Sequence, residues 1–297
     1  MIRKIAAIDI GSNAIRLLIS SVEEEANSTS FKKILLIRVP LRLGEDSFSI
    51  GEIGDLSARR LIKAMKAFRY LMDVHEVDSY RACATAAMRE AKNGEKLVKK
   101  IKEKAKLDIN IIDGSEEAKM FYESHMADRL NPKKNYLYVD VGGGSTEISV
   151  IVQGELADSR SFDIGTVRTL RKGVSISKME EIKLFLTGIK EKFAPVEIIG
   201  SGGNINKLHR LAKLGKEEVL ITTKLEEIYQ QLIKLTVEER MSMYDLNIDR
   251  ADVIVPASEI FLYIADIAGI TEIYVPTFGL VDGIVHNLYQ NSLNELT

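Results

Sequence analysis

Two aspartates at matching places in a repeated pattern carry the clearest chemical signal in the chain. Residues 5–19 read Ile-Ala-Ala-Ile-Asp-Ile-Gly-Ser-Asn-Ala-Ile-Arg-Leu-Leu-Ile, and residues 137–152 read Leu-Tyr-Val-Asp-Val-Gly-Gly-Gly-Ser-Thr-Glu-Ile-Ser-Val-Ile-Val. Both have the apolar periodicity of a strand, then a short turn, then a second strand. Asp9 aligns with Asp140 and Gly11 with Gly142, at an offset of 131 residues. Glycines remove Cβ atoms from a turn, which lets backbone N–H groups converge on an anion. The candidates for holding phosphate are therefore Gly11, Ser12 and Asn13 in the first turn, and Gly142, Gly143, Gly144 and Ser145 in the second. A device recurring after nearly half the chain implies two related halves, each contributing one phosphate-facing hairpin to a shared cleft.

Other residues stand where chemistry is possible. Gly200-Ser-Gly-Gly-Asn204 ends a strand pattern and opens a helix, which places helix N-terminal N–H groups beside Gly202 and Gly203 for an anion. It has neither the Lys of a P-loop nor the pattern of a dinucleotide fingerprint. Arg89 lies in the first turns of a helix that follows a small-residue strand, at the sheet edge where ligands of open α/β sheets gather. Glu116 and Glu117 open another helix, where acidic residues satisfy the dipole and the terminal N–H groups; capping and a general base are both open readings. The four histidines have no metal-ligand spacing, and no Gly-x-Ser-x-Gly elbow occurs. Cys83 reads as a small core residue at a strand end.

These residues need an α/β frame. A polar turn is expected over residues 20–30, a strand from Lys33 to Val39 and an exposed loop from Arg38 to Gly54. A helix carries Leu61, Met65, Phe68 and Met72 at helical spacing, and a strand covers 80–84. Lys92–Lys106 forms an amphipathic helix with seven lysines, Ile109–Ile112 a short strand, and the helix after Asp113 continues through Phe121, Met126 and Leu130. Asn131–Asn135, with Pro132, is the linker candidate. In the second half, strands at 156–164, 196–199 and 272–275 alternate with helices at 177–193, 205–214, 225–235, 237–244, 250–267 and 281–289.

Six motifs in this order resemble the exopolyphosphatase/guanosine pentaphosphate phosphohydrolase (Ppx/GppA) family in its short form. They are Asp9-Ile-Gly-Ser-Asn13, Ala84-Thr-Ala-Ala-Met-Arg89, Ile111-Ile-Asp-Gly-Ser-Glu-Glu-Ala118, Asp140-Val-Gly-Gly-Gly-Ser-Thr-Glu147, Gly165-Thr-Val-Arg168 and Gly200-Ser-Gly-Gly203. The resemblance implies the actin-like ATPase superfold, with a ribonuclease H-like domain over 1–130 and a second over 131–297, the last helix being able to pack back on the first. It implies Glu117 as the catalytic base, Asp140 and Glu147, with Asp9, serving Mg2+, and Arg89 and the glycine turns, Gly202 and Gly203 included, on phosphate. Polyphosphate or guanosine pentaphosphate is the implied substrate, and a homodimer is plausible on the same ground. Ala14, Ala86, Asn204 and Val281 depart from the family's usual residues. A kinase of the same superfold and a polyphosphate or alarmone sensor without turnover are the rival readings.

The 297 residues suit two domains, and a net charge of −2 advertises no DNA or RNA partner. A single cysteine excludes an internal disulfide framework and fits a reducing compartment. With neither a basic leader nor a membrane-length apolar run, a cytoplasmic protein is expected.

Overall fold

The computed structural model describes residues 2–25, 28–122, 131–194, 196–276 and 279–294. The chain divides into two units, Met1–Met126 with Leu280–Thr297, and Ala127–Gly279.

In the first unit, β1 (Ile2–Ile10), β2 (Ile15–Glu25) and β3 (Ser28–Val39) form an antiparallel meander, after which α1 (Leu43–Ile50) and α2 (Asp55–Val74) intervene. Next come β4 (Ser79–Ala84), α3 (Ala86–Glu90), α4 (Gly94–Ala105), β5 (Asn110–Ile111) and α5 (Gly114–Tyr122). The sheet order is β3-β2-β1-β4-β5, with β4 parallel to β1 and β5 parallel to β4.

In the second unit, β6 (Asn135–Val141), β7 (Thr146–Val152) and β8 (Glu155–Phe162) make the corresponding meander. They lead through α6 (Thr166–Lys172) and α7 (Ile176–Phe193) to β9 (Val196–Ser201) and α8 (Gly203–Leu211). Then follow β10 (Leu220–Ile221), α9 (Thr222–Leu232), α10 (Val237–Tyr244), α11 (Ile248–Ala251), α12 (Ile254–Ala268) and β11 (Glu272–Tyr274). The order β10-β11-β9-β6-β7-β8 reproduces that of the first sheet strand for strand, with β10 added at one edge. Two copies of one α/β topology, each an antiparallel meander joined to parallel crossover strands, are the paired ribonuclease H-like units of the actin-like ATPase superfold.

Three expectations are corrected. The acidic stretch 20–25 is not a turn: β2 runs to Glu25 and β3 begins at Ser28, because Val22 and Phe31 pack inward and pair across the hairpin. The segment 43–50 is a helix rather than a loop, since Leu43 and Phe48 bury one face of it. The long helix expected over 250–267 breaks into α11 and α12. Met126 and Leu130, expected in the helix after Asp113, lie outside the described residues.

The last helix, α13 (Leu280–Asn294), belongs to the first unit. Its Leu280, Val281, Ile284, Val285 and Tyr289 share one face and are buried with Ile5, Ala7, Leu18 and Val22 of β1 and β2. Burying each such side chain stabilises by about 1.5–3 kcal/mol. Around it, Tyr289 donates to Glu24 at 3.0 Å, and Lys33 pairs with Asp282 at 2.7 Å.

Candidate functional site

The two hairpins share one turn geometry. Gly11 N–H donates to the Ala14 carbonyl at 3.2 Å, and Gly142 N–H to the Ser145 carbonyl at 3.0 Å. In each, the turn carbonyls are tied down from outside. Ser12 O accepts from Gly44 N–H at 2.8 Å and Asn13 O from Arg42 N–H at 2.9 Å, at the start of α1. Gly142 O accepts from Thr166 N–H at 3.0 Å, Gly143 O from Val167 and Arg168 N–H at 2.8 and 3.0 Å, and Gly144 O from Arg168 Nε at 2.6 Å.

A planar trans peptide sets each N–H opposite the preceding carbonyl. The carbonyls of residues 142–144 face α6, so the N–H groups of Gly143, Gly144 and Ser145 face away from it. Among the described residues no acceptor meets those three N–H groups. They form a concave donor set of the kind that holds an anion. Gly165 makes this clamp possible: a Cβ there would lie 2.5 Å from the Gly144 carbonyl carbon, so any side chain would push α6 off the turn.

The strand pairing decides what each aspartate faces. On β1 and β2 Asp9 stands opposite Arg16, and Arg16 Nη1 binds Asp9 Oδ2 at 2.5 Å. On β6 and β7 the corresponding pair is Asp140 opposite Glu147. The rows extend across each sheet, as Cys83, Asp9, Arg16 and Arg38 in the first unit and Ser201, Asp140, Glu147 and Ser161 in the second. Ser161 Oγ donates to Glu147 at 2.8 Å; Tyr138 Oη and Ser201 Oγ donate to Asp140 Oδ2 at 3.3 and 3.4 Å. Glu147 is only 2% exposed, so its carboxyl is shielded almost entirely from water. Directly opposed like charges are unfavourable in a sheet. A hard cation would offset them, and two carboxylates fit Mg2+, which takes one or two from protein and completes its shell with water and phosphate oxygens.

Asp9 is committed differently. Burial pushes its carboxyl above the ordinary 3.8, opposed by the charge and hydrogen bond of Arg16. Asp9, expected to serve the metal with Asp140 and Glu147, is engaged by Arg16 in this structure. Among the described residues no three His, Cys, Asp or Glu side chains are grouped as a metal centre. Burial also pushes the Cys83 thiol up to about 12, which keeps it protonated in the core.

Gly202 adjoins Asp140. Its φ of +98° favours glycine, and a Cβ there would lie 2.8 Å from Asp140 Oδ1. Gly203 opens α8, and Arg250 Nη1 donates to Asn204 Oδ1 at 2.9 Å beside that helix terminus. The acidic pair thus has the glycine turn, a helix N-terminus and a guanidinium in its own unit.

In the first unit the two glutamates of α5 separate. Glu116 is exposed and binds Arg81 Nη2 at 2.7 Å, while its N–H is capped by Asp113 Oδ1 at 2.8 Å. Glu117 is half-buried one position on, its N–H bonded to the Asp113 carbonyl at 3.0 Å. Arg89 Nη1 donates to the Ile112 carbonyl at 2.9 Å, so it braces the segment that leads into α5.

Arg16, Ser161, Ser201 and Arg250 were not anticipated from sequence. Counting outward from the first turn would have set Arg16 across from Asp9; Ser201 lies in the Gly200-Ser-Gly-Gly motif but its bond to Asp140 depends on strand pairing, and Ser161 and Arg250 carry no local signal.

A model of the Ppx/GppA phosphatase family matches residues 19–292. The chain belongs to that family. It is 25% identical to exopolyphosphatase 2 of Mycobacterium tuberculosis over 314 aligned residues, covering 96% of this chain and 98% of that protein. It is 24% identical to a guanosine-5'-triphosphate,3'-diphosphate pyrophosphatase of Aliivibrio fischeri, covering 95% of this chain and 59% of that protein. A bifunctional 3-dehydroquinate synthase/phosphatase of Fusobacterium nucleatum is 33% identical over 172 residues, which make up 56% of this chain and 26% of that relative. The crystal structure of the Aquifex aeolicus family member superposes with a TM-score of 0.79 at 25% identity, covering 98% and 99% of the two chains.

Proposed function

We propose that this Ppx/GppA protein is a hydrolase that removes the terminal phosphate of inorganic polyphosphate, of guanosine pentaphosphate, or of both, with magnesium. The observation that carries the reading is the second hairpin: two opposed carboxylates beside a turn whose N–H groups face away from the helix that clamps it. The whole-length likeness to an exopolyphosphatase, and the likeness to 59% of a guanosine-5'-triphosphate,3'-diphosphate pyrophosphatase, support the substrate class.

The roles follow from charge. The N–H groups of Gly143, Gly144 and Ser145 bind phosphoryl oxygens where negative charge gathers in the transition state, with the α8 terminus at Gly202 and Gly203 adding donors. Asp140 and Glu147 would hold the magnesium, which when bound would supply neutralisation of the phosphate oxygens. In the first unit Gly11, Ser12 and Asn13 supply a second anion-facing turn, and Arg16, oriented by Asp9, supplies a cation. Arg89 keeps one donor on Ile112 and offers its remaining N–H groups to phosphate. Glu117 takes the proton of the attacking water; Glu116 is committed to Arg81. Cytoplasmic placement accords with one buried thiol, and among the described residues no helix is long and apolar enough to cross a membrane.

The test is phosphate release from each substrate with magnesium, beside the Glu117→Gln protein. Loss of a general base is expected to lower kcat by about 10²–10⁴-fold. Release unchanged by Glu117→Gln would overturn the assigned base. Tight binding of either ligand with no release from the parent protein would replace the hydrolase with a sensor.

A further inference from the structure

α4 buries Leu97, Ile101 and Ala105 and turns its lysines outward. Residues 59–106 hold 14 of the chain's 41 Lys and Arg but only 6 of its 43 Asp and Glu, so a protein of net charge −2 concentrates positive charge in this segment. Lys96, Lys100 and Lys104 recur every fourth residue and are all exposed, which lines them up along one side of the helix. Successive members are spaced about 6 Å along the axis. Among the described residues Lys102 pairs with Asp108, at 2.5 Å, while no carboxylate is within ion-pair distance of Lys96, Lys100 or Lys104. α2, which packs against α4, adds exposed Arg59, Lys63 and Lys66.

We infer that this row is a binding site for the polyphosphate chain outside the residues assigned to hydrolysis, so that affinity grows with chain length. The inference rests on the proposed polyphosphate substrate and names what selects long chains. A row of lysines recurring at about every turn of the helix matches a flexible polymer with a charge on every repeat, and binding draws on counterion release. Single-stranded nucleic acid binds through successive aromatic platforms as well as charge, whereas α4 holds no aromatic residue and α2 exposes the single ring of Tyr70. A membrane-surface helix would expose large apolar side chains, whereas Leu97 and Ile101 face the core.

The experiment compares the parent with Lys96→Gln/Lys100→Gln/Lys104→Gln, and with the same three positions changed to Arg. KM is measured on tripolyphosphate and on polyphosphate of roughly a hundred repeats, and equilibrium binding of labelled long polyphosphate at low and high salt. The triple Gln protein is expected to raise KM for the long chain about tenfold or more, to leave tripolyphosphate turnover unchanged, and to lose the salt-sensitive part of binding. The Arg version is expected to restore all three readings. Unchanged long-chain KM and binding in the Gln protein would overturn the inference. If neither parent nor variant releases phosphate, the hydrolase reading fails by itself, and row-dependent polyphosphate binding still supports the site. Equal, row-dependent binding of single-stranded RNA would overturn the polyphosphate assignment.

Discussion

The two hairpins share a backbone and differ in one cross-strand partner. Asp9 faces Arg16, whereas Asp140 faces Glu147. The first pair balances its own charge, and the exposed part of Arg16 keeps N–H donors that an anion can accept from. The second concentrates two negative charges, with hydrogen bonds from Tyr138, Ser161 and Ser201 spreading them without cancelling them. One duplicated scaffold thereby offers two electrostatic environments, one suited to an anion and one to a hard cation. Both turns are anchored through their carbonyls, by the start of α1 in one case and by the start of α6 in the other.

Breaking the acidic pair has the largest expected effect. Asp140→Asn and Glu147→Gln are each expected to cost about 4 kcal/mol of transition-state stabilisation, on the order of a thousandfold in kcat, with the magnesium needed for half-maximal rate rising sharply. A magnesium titration of phosphate release decides this; either variant retaining the parent's titration curve would remove that carboxylate from the cation site.

The clamp on the second turn comes next. Gly165→Ala forces a Cβ against Gly143 and Gly144, and overpacking of this kind destabilises by about 2–3 kcal/mol. Denaturant unfolding should show that loss together with a fall in activity larger than stability alone explains. Full activity in Gly165→Ala would mean that the α6 contact does not shape the anion site.

The smallest effect concerns Asp9. Its raised pKa means that the folded state keeps a proton at pH values where the unfolded chain has released it. Its contribution to stability is therefore fully present below 3.8 and is lost as pH rises through the raised value. Asp9→Asn should flatten the dependence of the denaturation midpoint on pH above 3.8; superimposable curves for the two proteins would contradict the assignment.

The duplication was legible because both hairpins keep strand periodicity and glycine placement in short contiguous stretches. Position alone left Glu116 and Glu117 open, since both sit in the first turn of α5, and only the family resemblance singled out Glu117; the pairing of Glu116 with Arg81, 35 residues away, has no local signal. The helix α1 was missed because Gly44 and Ser47 lie on its buried face, which blurs the apolar period. Its amphipathic face became visible only against Ser12, whose carbonyl bonds to Gly44 N–H.

The sequence alone determined most of the local order: the two hairpins and the family motifs are each carried by a short contiguous stretch, and comparing the hairpins exposes the repeat. Tertiary structure decided the partners. Strand register set Asp9 against Arg16 and Asp140 against Glu147, α6 turned the glycine carbonyls to one side, and the apolar face of α13 placed residues 280–294 in the first unit. Each of these depends on which distant surfaces bury one another, and burial is a property of the assembled core rather than of any local stretch.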